Sequence, residues 1–331
     1  MILFGFYGTA PNRQLWEDIS LGRLGGILVY ERNLAAKETA NNLRTLIQGC
    51  QKFAGIKLFV SIDHEGGLVN RLKTKYGFPD FPSAEYMGRM DNPDTTKWHC
   101  DNAAYTLSRL GFNLNYAPVV DVKHANCPVL GARERCFSEK IDVINRNAEQ
   151  LIFSHNYFNI ATTLKHFPGH GSSTTDSHLG IADVSKTWKK EELEPYRYLM
   201  GKGLSDAVLT AHIVNEQLDS RKLPATLSDR VINGLLRDSL GFGGVVFSDD
   251  MQMQAISSHF GFEESIEMAI NAGVDVLMFS NNIQGVGQRT PSEVHAIIKK
   301  LVKNGKISPE RIDQAFRRIM ALKTAKHIDN Q

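Results

Sequence analysis

A single (β/α)8 barrel of the TIM type, within the α/β class, is the fold this 331-residue sequence predicts. Three observations carry it: short β-branched apolar runs recur along the chain, stretches of helical spacing separate them, and no linker or shift of composition divides the whole. Strands apolar on both faces call for a parallel sheet, whose crossovers need helices. The alternative is an open doubly wound sheet. That arrangement usually carries a Gly-rich phosphate turn after its first strand, and Phe6-Tyr7-Gly8-Thr9-Ala10 does not supply one.

The expected strands, in order, are Ile2–Phe6, Gly26–Tyr30, Leu58–Ile62, Asn113–Ala117, Ala161–Leu164, Ala207–Thr210, Gly244–Phe247 and Val276–Phe279. The helices between them show their punctuation. Thr290-Pro291 and Ser308-Pro309 each place a capping hydroxyl before a proline in the first turn, and Gly305 can close the helix between them. In the last helix Ile312, Ala315, Phe316, Ile319 and Leu322 share one face, which needs burial. One domain, residues 1–331, is expected to hold all of this.

Composition excludes several function classes. With 38 basic and 36 acidic side chains the formal charge is only +2, too little for a broad field that gathers phosphates or anionic lipid. No nucleic-acid or membrane partner is therefore expected. Neither a membrane-length apolar run nor a leader is visible, since the opening MILFGFYGTAPNRQ lacks a basic n-region and a long apolar stretch. Cys50, Cys100, Cys127 and Cys136 are widely spaced without C-x-x-C, which reads as free thiols in a reducing compartment.

In a β/α barrel the chemistry gathers at the C-terminal ends of the strands. Those ends are rich here: Ser61-Ile62-Asp63-His64-Glu65, Ala117-Pro118-Val119-Val120-Asp121, Lys165-His166-Phe167-Pro168-Gly169-His170, Thr210-Ala211-His212 and Ser248-Asp249-Asp250. Carboxylates converging on one mouth suggest glycoside hydrolysis, in which one group attacks the sugar carbon and another handles the leaving oxygen's proton. Asp249 is the candidate nucleophile because it follows an apolar strand, while Asp250 should point elsewhere by strand alternation. Asp176 and His178, two apart on a small polar loop, can form a carboxylate–imidazole pair that moves protons. The competing structural readings are a helix cap for Asp249 and an Asx-type turn for Asp176. A metal-dependent barrel hydrolase built on His166, His170, His178 and Asp249 is a further alternative, disfavoured because no H-x-H pair ends a strand.

The blocks Lys165–Gly171 (KHFPGHG), Asp176–His178 (DSH) and Gly244–Asp250 (GVVFSDD) together resemble the β-N-acetylhexosaminidases of glycoside hydrolase family 3, the NagZ type. Gly25–Asn33, Ile62–Leu72, Asn115–Val122, Thr210–Ile213 and Ala272–Asn281 resemble it in the same order, so the likeness spans nearly the full chain. It implies a retaining exo-β-N-acetylglucosaminidase on a β/α barrel without metal or cofactor, with a covalent glycosyl intermediate on Asp249. His178 would be the acid/base with Asp176 as its partner, an exception to the usual pair of carboxylates. Asp63, Arg71, Lys165 and His166 would bind the reacting sugar. A further arginine is implied where the family reads roughly G-x-R-x-F; Gly131–Phe137 is two residues longer, and spacing leaves Arg133 and Arg135 both open. The implied substrate is a GlcNAc-anhydroMurNAc peptide from cell-wall recycling, acted on by a monomer in a bacterial cytoplasm unless a leader is missing. A phosphorylase using the same intermediate is the enzymatic alternative.

Overall fold

The computed structural model describes residues 1–176, 180–283 and 285–330. Among them eight parallel strands close on one another: β1 (Ile2–Gly5), β2 (Gly26–Val29), β3 (Phe59–Ile62), β4 (Leu114–Asn115), β5 (Ala161–Phe167), β6 (Ala207–Thr210), β7 (Val245–Asp250) and β8 (Val276–Phe279). Each pairs with its sequence neighbours, and β1 closes on β8 through Ile2–Leu277, Leu3–Met278 and Phe4–Phe279. The predicted barrel is therefore the observed one.

Alternation along each strand separates two cores. Leu3, Leu28, Phe59, Leu114, Ala161, Ala207, Val245, Phe247, Val276 and Met278 pack inside the barrel. Phe4, Ile27, Val60, Leu164, Val208, Val246 and Leu277 face the helices outside. Burying each large apolar side chain contributes roughly 1.5–3 kcal/mol, so both layers hold the cylinder shut. Helices Pro291–Lys303 and Pro309–Ala325 start where expected, with Thr290 and Ser308 side chains accepting the Glu293 and Arg311 N–H groups.

The last helix departs from its predicted face. Ala315, Ile319 and Leu322 are buried, but Phe316 is 48% exposed. The reason is that this helix plugs the N-terminal end of the barrel instead of lying flat along it: Ile319 and Leu322 join the interior cluster, and Lys323 Nζ donates to Lys57 O. Burial pulls the Lys323 ammonium down to about 8.

Two strands run further than sequence indicates, β5 to Phe167 instead of Leu164 and β7 to Asp250 instead of Phe247. In both, a register shift lets pairing skip two polar residues and resume beyond them, at Phe167 with Thr210 and at Asp250 with Met278. Asp249 thus belongs to β7 instead of following it. The fourth strand is shorter than predicted, two residues against five, since only Leu114 and Asn115 pair with both neighbours. After β3 a small hairpin, His64–Gly66 with Val69–Asn70, folds over the barrel mouth. Its turn uses Gly66 at φ 97, where an added Cβ would lie 2.1 Å from Pro82 O.

All four cysteines are free and buried, and among the described residues no helix is long and apolar enough to cross a membrane.

Candidate active site

Continuing the inward parity of each strand by one more step names the residues of the mouth. Leu28 leads to Tyr30, Phe59 and Ser61 to Asp63, Ala161 and Thr163 to Lys165, Val245 and Phe247 to Asp249, and Met278 to Ser280. The two-residue strand period aims all five into the space above the apolar interior. A cavity of about 250 Å³ lies there, lined by Asp63, Arg71, Arg133, Arg135, Lys165, His166, Asp249 and Asp250, with Leu209, Met253 and Met278 among its apolar walls. Larger clefts of about 840 and 800 Å³ lie elsewhere, the second beside the last helix, and neither contains strand-end carboxylates.

One connected line of charge borders this cavity. Arg71 donates to Asp63 Oδ2 at 3.3 Å, and Lys165 Nζ donates to Asp63 Oδ1 at 3.1 Å. The Lys165 ammonium, only 2% exposed, also meets Glu65 Oε1 at 2.5 Å. Arg135 grips Glu65 with two bonds of 2.7 and 2.8 Å, and the same guanidinium reaches His166 Nε2 at 3.2 Å. Burial alone would raise the Glu65 carboxyl, but Arg135 and Lys165 outweigh it and hold the group well below the usual carboxylate range. Burial likewise opposes ionisation of Asp63, and Lys165 and Arg71 reverse the sign.

His166 is oriented from behind. Its Nδ1 lies 2.7 Å from Asp121 Oδ2, an acceptor, while its Nε2 faces the Arg135 donor. That pairing puts the proton on Nδ1 and the lone pair on Nε2. Asp121 also accepts the His166 N–H at 3.0 Å and the His170 N–H at 2.7 Å, so one buried carboxylate fixes both the ring and the start of the next loop. Burial lowers His170 to about 4.

The nucleophile candidate is held through β7. Asp249 Oδ1 accepts the Asp250 N–H at 2.8 Å. Asp250 turns away, as alternation requires, and its carboxylate takes the Ser280 N–H at 3.0 Å, the Gln252 N–H at 3.1 Å and the Ser280 hydroxyl. Burial raises Asp250 to about 6. His212 Nε2 binds Asp250 O at 2.9 Å, and its Nδ1 meets Thr226 Oγ1 at 2.9 Å. The block Thr210–Ile213, together with Thr226, thus serves to fix the strand that presents Asp249.

Of the residues named from sequence, Asp63, Arg71, Arg133, Arg135, Lys165, His166 and Asp249 line the one cavity. The two arginines part company: Arg135 is partly buried in the ion network and Arg133 is exposed on the wall. Asp176 is half-buried at the end of the described part of the β5 loop, has a partner, and is not among the lining residues. His178 lies outside the described residues. Among the described residues no group of three His, Cys, Asp or Glu side chains is disposed to hold a metal ion.

The chain matches the glycosyl hydrolase family 3 N-terminal domain over residues 3–322. It belongs to glycosyl hydrolase family 3. A β-hexosaminidase of Haemophilus ducreyi is 32% identical over 294 residues, 86% of this chain and 83% of that protein. The solved family 3 β-N-acetylglucosaminidase of Paenibacillus sp. str. FPU-7 is 32% identical with a TM-score of 0.90; the match covers 99% of this chain and 61% of that one. The β-N-acetylhexosaminidase of Beutenbergia cavernae superposes with a TM-score of 0.84 at 26% identity, covering 98% and 96% of the two chains. Within this family 3 barrel, Glu65, Asp121 and His212 stand at strand ends where the sequence by itself suggests no role for them. Their partners lie 70, 45 and 14 positions away, and no local spacing points to them.

Glu192 carried no sequence signal at all. It is buried under Gly169 and Ser172 at the root of the β5 loop, and burial raises it to about 7 from 4.5. A carboxyl raised on folding favours the protonated fold, so its stabilisation is complete below about pH 4.5 and is lost as pH rises through about 7. Glu192→Gln is therefore expected to gain stability relative to the parent by ~3 kcal/mol between those limits. Denaturant melts across pH 4.5–8 measure this, and a pH-independent difference would refute it.

Proposed function

We propose that this chain is an exo-acting, retaining β-N-acetylhexosaminidase that removes terminal GlcNAc through a covalent glycosyl intermediate on Asp249. The observation that carries the reading is the inward-facing Asp249 at a blind, charge-bordered cavity of about 250 Å³. Apolar side chains close it below, so it suits the end of a sugar chain and not an internal segment. Family membership and relatives named β-hexosaminidase support the same chemistry.

In this reading Asp249 attacks the anomeric carbon as the bond to the leaving oxygen breaks, and that oxygen receives a proton from His178. Water then attacks the same carbon, gives its proton back to His178, and releases Asp249 with net retention. Asp176 partners His178 and adjusts its proton affinity between the two halves. An imidazole suits the second half because, neutral, it does not repel an incoming nucleophile. Asp63, Lys165, Arg71, Arg135 and His166 meet the sugar hydroxyls; the ion pairs and hydrogen bonds among them hold these groups aligned before substrate arrives. The leaving portion is a muropeptide-like fragment of cell-wall recycling, on the resemblance described above, handled by a monomer in the cytoplasm.

The test is trapping with a fluorinated β-GlcNAc that loses its leaving group quickly and hydrolyses slowly. A mass increase of one sugar on the peptide containing Asp249, with β-GlcNAc as the first product seen by NMR in steady turnover, is expected. An α product, or label on another residue, would overturn the mechanism. GlcNAc-1-phosphate formed in phosphate buffer would identify a phosphorylase instead.

A further inference from the structure

The cleft of about 800 Å³ is lined by Ile2 and Gly25, where β1 and β2 begin, and so lies at the end of the barrel opposite Asp249. Helical spacing builds two of its walls. Ile298 and Val302 of helix Pro291–Lys303, and Ile312, Phe316 and Ile319 of helix Pro309–Ala325, recur every three or four residues, so each helix turns one apolar stripe to the cleft. Leu21 and Ile56 join the lining from the turns after helices Arg13–Ser20 and Thr39–Phe53. Leu21, Ile56 and Phe316 are 61%, 51% and 48% exposed. Water held against so much apolar surface in one concave place is unfavourable, and an apolar chain lying there would displace it.

Positive charge prevails around the same cleft. Lys299 and Lys303, one turn apart and exposed, have no carboxylate partner among the described residues. Arg23 is held by Asp18 at 3.1 Å. At the far end of the last helix's stripe Lys323 is 2% exposed and donates to Lys57 O at 2.5 Å, again without a carboxylate partner among the described residues. Burial lowers the His295 imidazole, and Lys299 and Arg23 push it the same way, so positive charge crowds this rim. Asp313 is the one acidic side chain among the described lining residues. Apolar walls alone would take a neutral molecule, and lysines alone a polar anion; together they fit a molecule with an apolar chain and an anionic head. A second copy docked here about a two-fold axis would bring this basic patch against itself.

We propose that this cleft binds a single-chain amphiphile of the long-chain carboxylate class, its chain laid along the two apolar stripes and its carboxylate between Lys299 and Lys303. From Ile312 to Lys323 the last helix runs roughly 16 Å, at ~1.5 Å per residue, which is room for an extended chain of about ten carbons. The site is separate from the sugar cavity and stands whether or not the hydrolytic reading does.

Calorimetric titration of the full chain with monomeric decanoate, 1-decanol and butyrate tests it. Decanoate is expected to bind one to one, about tenfold or more tighter than either of the others, because only it has both the chain and the charge. The double variant Lys299→Glu/Lys303→Glu should weaken decanoate by about tenfold, Lys299→Arg/Lys303→Arg should not, and higher salt should shrink the preference over 1-decanol, since the rim is exposed. Phe316→Ser should weaken decanoate and 1-decanol alike. All three changes are at exposed positions, and thermal melts within a few degrees of the parent would show the fold intact. No binding of decanoate, binding equal to that of 1-decanol, or binding unmoved by the lysine reversal would overturn the proposal. Competition by GlcNAc would place decanoate in the sugar cavity and overturn it as well. Binding to anionic vesicles without binding of monomeric decanoate would make the cleft a membrane-facing surface, and a dimer abolished by Phe316→Ser would give it to a second copy; either result replaces the proposal.

Discussion

Asparagine in place of Asp249 is expected to lower kcat/KM toward a chromogenic β-GlcNAc by a factor on the order of 10⁴ to 10⁶. An amide cannot form the glycosyl ester, so the first bond-making step is lost while the binding groups remain. The fold should survive, because the amide oxygen can still accept the Asp250 N–H that Asp249 Oδ1 accepts at 2.8 Å. Thermal melts within a few degrees of the parent would establish that. Azide added to Asp249→Ala is expected to restore turnover and give the α-glycosyl azide, the product of one displacement from the opposite face. Near-parental hydrolysis by either variant would remove Asp249 from the mechanism.

The second large effect is expected at Arg135. Replacing it by alanine leaves Glu65, 4% exposed, with Lys165 as its remaining cation. Breaking a buried pair by removing one partner typically costs about 3–5 kcal/mol, because the other charge stays buried. A loss of that size in denaturant melts is expected, together with a fall of roughly 10²–10³ in kcat/KM as the Lys165 and His166 positions loosen. Lysine is a poor substitute, since a point charge cannot hold Glu65 by two bonds and reach His166 as well. The double variant Glu65→Gln/Arg135→Met separates the two effects. It removes both charges and should recover most of the stability while activity stays low. Recovery of both would reduce the pair to a structural element.

The two predictions rest on different parts of the fold. Asp249 is presented by a strand whose parity aims it inward, whereas Arg135 stands on a loop whose placement depends on Glu65, on another loop, being brought to it. Glu192 extends the contrast as a buried carboxyl that responds to pH.

Much of this was readable in one dimension because the relevant forces are local. Strand alternation from Val245 to Phe247 already says on which side Asp249 falls, and capping hydroxyls before Pro291 and Pro309 mark helix starts without knowledge of any neighbour. Strand ends were less readable. The register shifts that carry β5 to Phe167 and β7 to Asp250 come from pairing with the adjacent strand, which propensity does not describe. Phe316 likewise follows the amphipathic pattern of its helix and yet stays half exposed, because the helix caps the barrel end.

Periodicity and strand-end chemistry were therefore enough for the eight-unit barrel, the face bearing the site and the candidate nucleophile. Closure of the cylinder was needed to give Arg133 and Arg135 their different surroundings and to reveal Glu65, Asp121 and Glu192. Their partners stand tens of residues apart, with Lys165 and Asp63 separated by 102 positions. Electrostatic attraction and desolvation depend on distance in space and on burial, and neither exists along the chain until β1 meets β8 and the loops of all eight units share one mouth.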